Sequence, residues 1–307
     1  MPPRGLDEFS NSRLALSLAA GVGRATPPAV GRRLATRAAA LLSLRRNTEL
    51  VAAVRSNQWV VSGGTLTGRQ LDDAVRENLE HIARCVYDYY HLADDADALL
   101  ERVTLSDEVT GWVERVRRGE ALVFAALHLS NFDLGGRALA RHGFRAQLLG
   151  VPDPTDAYRV QNELRREVGL DVTPISMQSL RTAQKRLEGG GAVLTGIDRP
   201  IPGSSRTYSF FGRQAHLPSV HVRLASRAQV PLVLAWAVMD EDGRYDVRCA
   251  EVPLSGKRGT EAERSDTEAV LARAAEEVAK RPTQWAMPHA VWPEAIGEID
   301  ALEGGSD

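Results

Sequence analysis

From residue 121 onward the chain alternates short apolar runs with helix-length amphipathic stretches, and this alternation restricts the fold more than any other feature. Apolar runs occupy 121–127, 145–151, 172–175 and 192–197, and helical patterns fill 134–142, 156–168 and 178–187 between them. Strands separated by single helices build βαβ units, whose largely parallel sheet is covered on both faces. After a loop at 200–205 come two short strands around Phe210 and His216 and a helix at 220–228. The runs 230–239 and 245–252 read as a hairpin across the turn dipeptide Asp242-Gly243. A charged helix at 265–280 follows.

Upstream of residue 119 the pattern is helical. Leu71, Val75, Leu79, Ile82 and Val86 recur at spacings of three and four within 67–92, and a shorter helix at 107–118 stops at Gly119. These signals divide the chain into a basic helical arm over 1–50, one α/β domain over 51–300 and a flexible tail over 301–307. Within the domain, 51–118 is helical, 119–255 is the sheet core and 264–281 is the C-terminal helix.

Charge sets the arm apart. Residues 9–48 hold seven arginines and no acid, leaving 31 bases against all 40 acids elsewhere. A basic arm on an acidic body suggests an anionic partner. The arm is rich in Leu and Ala, including Leu14, Leu16, Leu18, Leu34, Leu41, Leu42 and Leu44, and has no aromatic group after Phe9. Those features favour a membrane surface over nucleic acid. The alternative is a pair of helices packed on the body with their arginines in water. No run approaches the roughly 18 uncharged residues needed to cross a bilayer. Asp7 and Glu8 make a secretory leader a poor fit. With only Cys85 and Cys249, neither a disulfide scaffold nor a CxxC zinc site is expected.

The most informative segment for chemistry runs from Ala121 to Gly136. His128 directly follows a strand, and Asp133 opens a helix five residues later, where open α/β sheets place ligands. Folding of the loop would let the carboxylate hold one imidazole nitrogen and leave the other as a base. Such a pair suits deprotonation of a hydroxyl attacking an acyl carbonyl. Asp133 could instead be a helix N-cap and His128 a satisfied loop histidine. The spacing recurs at His289 and Glu294, outside a strand-to-helix context, and is read there as structural. No Gly-x-Ser-x-Gly elbow or P-loop occurs, Gly21-Val-Gly23 follows no strand, and His216 and His221 lack companions for a metal site.

Five segments, in order, resemble one family: Ala126-Leu-His128-Leu-Ser-Asn-Phe-Asp133, Asn162-Glu-Leu-Arg165-Arg-Glu-Val-Gly169, Gly196-Ile-Asp198-Arg199, Phe210-Phe-Gly212-Arg213 and Pro231-Leu-Val. The chain is similar over about residues 12–295 to the lipid A biosynthesis (lauroyl/myristoyl) acyltransferase-like family of the lysophospholipid acyltransferase superfamily, which includes phosphatidylinositol mannoside acyltransferases. The resemblance implies an αβα sandwich on the inner face of the cytoplasmic membrane. It also implies acyl transfer from acyl-CoA or acyl carrier protein to a hydroxyl of a lipid. His128 would be the general base and Asp133 its orienting acid. Arg165 and Asp198 match groove positions, and Gly212 and Arg213 match an acceptor-binding motif.

Beyond the resemblance, Arg165 or backbone N–H groups could stabilise the oxyanion, Asn131 is a further donor or a turn residue, and Arg199 and Arg213 could fork onto phosphate or form surface ion pairs. Members acting on lipid A commonly carry Glu where Asp133 stands, and usually an N-terminal hydrophobic anchor not read here. Both departures shift the expected acceptor toward a lyso-lipid or glycolipid. The expectation is a peripheral or monotopic O-acyltransferase with no cofactor beyond the thioester co-substrate, no metal and no nucleic-acid partner. A non-catalytic lipid-binding protein of the same fold, or a soluble nucleotide- or sugar-binding enzyme, are the competing readings.

Overall fold

The computed structural model describes residues 23, 26–201 and 203–304. The first part of the arm, with Arg13 and Arg24, and the last three residues of the tail lie outside them. Helix α1 (Pro28–Ser43) carries proline in its first turn, α2 (Glu49–Val61) is capped by the Thr48 side chain, and α3 (Gly68–His91) follows. A Cβ on Gly31 would lie 2.1 Å from the Tyr87 ring, so glycine alone lets α1 approach α3. Arg32 Nε then donates to the buried Asp88 carboxylate at 2.7 Å. The described part of the arm is therefore packed on the body.

Along α3, Leu71, Val75 and Leu79 are buried as their spacing predicts, but Val86 is exposed and Asn78, His81, Cys85 and Asp88 turn inward. The second half of the helix meets other chain segments that need polar partners. Asn78 Nδ2, for example, donates to the carbonyls of Thr283 and Trp285 at 2.9 and 2.8 Å.

Helix α4 (Ala96–Arg102) leads into β1 (Val103–Leu105), followed by α5 (Asp107–Arg117), β2 (Leu122–Ala126), α6 (Phe132–Arg141) and β3 (Ala146–Gly150). Then come α7 (Asp156–Glu167), β4 (Asp171–Pro174), α8 (Met177–Glu188) and β5 (Ala192–Gly196). A small hairpin, β6 (Tyr208–Phe210) with β7 (Arg213–Ala215), precedes α9 (Val220–Ala228), β8 (Leu232–Met239), β9 (Tyr245–Glu251), α10 (Thr260–Lys280), a 3₁₀ turn (Pro282–Gln284) and α11 (Glu294–Gly304).

The seven-stranded sheet has the order β1-β9-β8-β2-β5-β3-β4 and is parallel except between β8 and β9. Its faces bury separate cores. In β2, Val123 and Ala125 join one core with Leu224, Val270 and Leu271, while Leu122 and Phe124 join the other with Val109, Leu134 and Ala138. This is the αβα sandwich, with helices α1 to α3 added on. Two elements escape the sequence patterns. Strand β1 has only three residues, too few for a periodic signal. The tail assigned to 301–307 is helical through Gly304, because α11 buries Ala295 and Ile299 and its Glu303 pairs with Arg55.

Candidate active site

Strands β2 and β5 are parallel neighbours with Ala126 opposite Gly196. His128 and Asp198 each stand two residues beyond that pair, so both emerge side by side at the carboxyl edge of the sheet. The His128 Nδ1–H donates to Asp198 Oδ1 at 2.6 Å, and the His128 backbone N–H reaches the same carboxylate at 3.2 and 3.3 Å. Trp285 Nε1 donates to the other oxygen at 2.7 Å. Asp198 is wholly buried, whereas 15% of the His128 side chain is exposed. With Nδ1 donating, Nε2 carries the lone pair, and no described residue bonds it. Gly196 makes room for the ring, since a Cβ there would sit 2.8 Å from His128 Cε1. Phe132 closes the other side, edge to face at 4.4 Å between centroids.

The expected partnership of His128 with Asp133 is corrected by this geometry. Asp133 lies in the first turn of α6 and accepts Arg165 Nε at 2.8 Å, with the two side chains 15% and 7% exposed. The five-residue spacing brings Asp133 to the helix start, but the acid on His128 comes from an adjacent strand. Nor is Asp133 the N-cap. That position belongs to Asn131, whose Oδ1 accepts from the Leu134 N–H and whose Nδ2 donates to the Cys85 carbonyl at 2.9 Å. Asn131 thus ties the start of α6 to α3, with one of its two amide hydrogens committed to Cys85. Arg165 is likewise engaged, donating to Asn162 Oδ1 at 2.8 Å as well as to Asp133.

Gly212 and its neighbour Phe211, at φ of 72° and 50°, form the tight turn of the β6–β7 hairpin. Arg213 forks onto Glu298 at 2.7 and 2.8 Å and stacks over Trp59, so its described partners are these and not the His128 cluster. The hairpin reaches the site through aromatic rings. Phe210 lies 5.9 Å from Trp285 and 5.6 Å from Trp292, bracing the indole that donates to Asp198.

Several site residues were not singled out from the sequence. The loop 128–131 is fastened to the segment after α10: the Ser130 N–H donates to the Gln284 carbonyl at 2.7 Å, and the Ala286 N–H to the His128 carbonyl at 2.8 Å. Ser130 sits at φ 50°, a conformation disfavoured for a residue with a side chain, and its hydroxyl is 3.1 Å from His81 Nε2. Burial and Arg84 lower the His81 pKa to about 4, so it braces the loop as a neutral ring. His289, read as structural, lies in the field of both His128 and Arg199. Partial desolvation and those two neighbours lower its pKa to about 4. The only hint of these residues in the sequence was the Trp- and Pro-containing run around Trp285 and Trp292.

A family model for bacterial lipid A biosynthesis acyltransferases matches residues 14–293, nearly the whole chain. The chain belongs to this family. As a member it is an acyltransferase, and the family implies in general a lipid acceptor and an acyl donor. No curated protein matches the chain significantly.

Proposed function

We propose that this family member transfers a fatty acyl group from a thioester, acyl-CoA or acyl carrier protein, to a hydroxyl of a lyso-lipid or glycolipid at the cytoplasmic face of the membrane. The observation carrying this reading is an imidazole anchored at Nδ1 by a buried carboxylate with Nε2 unbonded. Nε2 takes the proton as the acceptor oxygen attacks the thioester carbon. The tetrahedral intermediate collapses, the C–S bond breaks, and Nε2 returns the proton to the departing thiolate. General-base help of this kind is worth about 10²–10⁴-fold, and alignment of an already reactive thioester supplies the rest. First-turn N–H groups of α6, next to His128, are the donors best placed along the chain for the oxyanion. Acyl-CoA turnover with a lyso-phospholipid or glycolipid acceptor, followed by thiol release and mass spectrometry of the lipid, should yield a mono-acylated product. Cys85 and Cys249 are buried, which keeps the thiol background low. Lipid binding without thiol release from any donor would favour the non-catalytic reading.

Membrane docking belongs to the same proposal. Val30, Leu34 and Leu41 of α1 and Leu44 at its C-cap are exposed by 47–76% and share one face, interleaved with Arg37 and flanked by Arg33 and Arg45. That combination suits an anionic bilayer, with arginine stems lying along the apolar stripe. No helix among the described residues is long and apolar enough to cross a membrane. Flotation with vesicles containing anionic phospholipid should show binding that weakens, without vanishing, as salt rises from about 0.05 to 0.5 M. Equal binding to neutral vesicles at every salt concentration would rule out the electrostatic part.

A further inference from the structure

One buried face of α3 reaches both supports of the His128–Asp198 pair. Asn78, His81, Cys85 and Asp88 recur at spacings of three, four and three, so they line one side of the helix over about 15 Å. Asn78 holds the carbonyls of Thr283 and Trp285, and the Trp285 indole donates to Asp198. One turn on, His81 Nε2 lies 3.1 Å from the Ser130 hydroxyl, and the Cys85 carbonyl accepts from Asn131 Nδ2 at 2.9 Å. Ser130 depends on such contacts: at φ 50° its backbone stays in a disfavoured conformation only while its surroundings hold it there. The far end of the same face belongs to α1. Asp88 Oδ1 accepts from Arg32 Nε and Oδ2 from the Tyr245 hydroxyl, both at 2.7 Å. Beside it, the Tyr87 hydroxyl donates to the Thr26 carbonyl at 2.7 Å, and its ring is the one against which Gly31 seats.

We propose that Gly31 and Arg32 are positioning residues for acyl transfer, because the seat of α1 on α3 fixes the helix face that holds Ser130 and, through it, the His128 imidazole. A helix is stiff along its axis, and Asp88 and His81 are about two turns apart, so a shift imposed at one is felt at the other. The element that responds is the Ser130 backbone, which relaxes to an ordinary conformation once its partners move. Gly31 and Arg32 face α3 while Leu34 and Leu41 are exposed, so the role is separate from membrane docking and holds with no bilayer present. Its effect on rate rests on the acyl-transfer reading, and its effect on the order of the loop does not.

Gly31→Leu unseats α1 while keeping a strong helix former at that position. With hexanoyl-coenzyme A and a hexanoyl lyso-phospholipid, both monomeric and without vesicles, kcat should fall about tenfold or more with KM nearly unchanged. Deuterium uptake by the amides of 128–131 should speed up in the same variant. In a Tyr87→Ala background, where the ring is gone, Gly31→Leu should cost little further. Arg32→Gln should show the same pattern more weakly and Arg32→Lys should recover most of the rate, which keeps the test open if Gly31→Leu folds poorly. Ala38→Leu, at an exposed position of α1, should change neither readout. Unchanged loop exchange in both Gly31→Leu and Arg32→Gln overturns the positioning role, as does faster exchange with an unaltered kcat. An equal Gly31→Leu loss with and without the Tyr87 ring overturns it too. If the wild type turns over no thioester but Gly31→Leu still loosens the loop, the coupling stands and the acyl-transfer reading alone falls.

Discussion

Asp198→Asn is expected to lower kcat by about 10²–10⁴-fold while leaving the protein folded. The amide is the same size and can still accept from Trp285 Nε1. It cannot accept on both sides, and turning its NH₂ toward His128 forces the proton off Nδ1 and onto Nε2. The nitrogen needed as the base is then blocked. His128→Ala should fall to a similar level, and the double variant should fall little further, because the two residues act as a unit. The comparison with Asp133 decides the assignment. A fully active Asp198→Asn protein beside an inactive, stably folded Asp133→Asn protein would return the orienting role to Asp133.

For Asp133→Ala the larger expected effect is on stability. Arg165 is 7% exposed and its charge is balanced at short range by Asp133. Removing one partner of a buried pair costs about 3–5 kcal/mol, since the remaining charge is stranded. At about 2 °C per kcal/mol for a chain of this size, Tm should drop by roughly 6–10 °C. Arg165→Met alone should be similarly damaging. Combining Arg165→Met with Asp133→Leu should recover most of the loss, the signature of coupling rather than of two independent defects. The folded fraction of Asp133→Ala should keep more activity than Asp198→Asn. Additive losses in the double variant would mean that the pair contributes nothing as a pair.

Much of the architecture is legible in the sequence because it follows from local periodicity. The helix at 220–228 and the strand at 192–197 each announce themselves through apolar spacing and turn residues, and both form within a residue of their expected limits. Which strands become neighbours is a different kind of information. His128 and Asp198 are 70 residues apart, and they meet because β5 inserts between β2 and β3. Nothing in the spacing of either residue encodes that insertion. The near acid at Asp133 was therefore the more visible partner, although Asp198 stood in a segment already recognisable for its family likeness. The inward polar side of α3 escaped for a related reason. Asn78, His81 and Asp88 break a hydrophobic stripe, and their value is apparent only once the segments they hold are in place.

The brace behind the loop at His128 also bears on the order in which the fold can be completed. Asn57, in α2, holds the carbonyls of Met287 and His289 across separations of 230 and 232 residues, and the same stretch of chain supplies Trp285 to Asp198. A growing polypeptide can close its sheet through β9 well before that stretch leaves the ribosome. Until then the imidazole has its carboxylate but lacks the indole, the Gln284 carbonyl and the Ala286 amide that set its loop. The setting of the His128 loop is thus one of the late events of folding, because it waits on a segment that lies beyond every strand of the sheet.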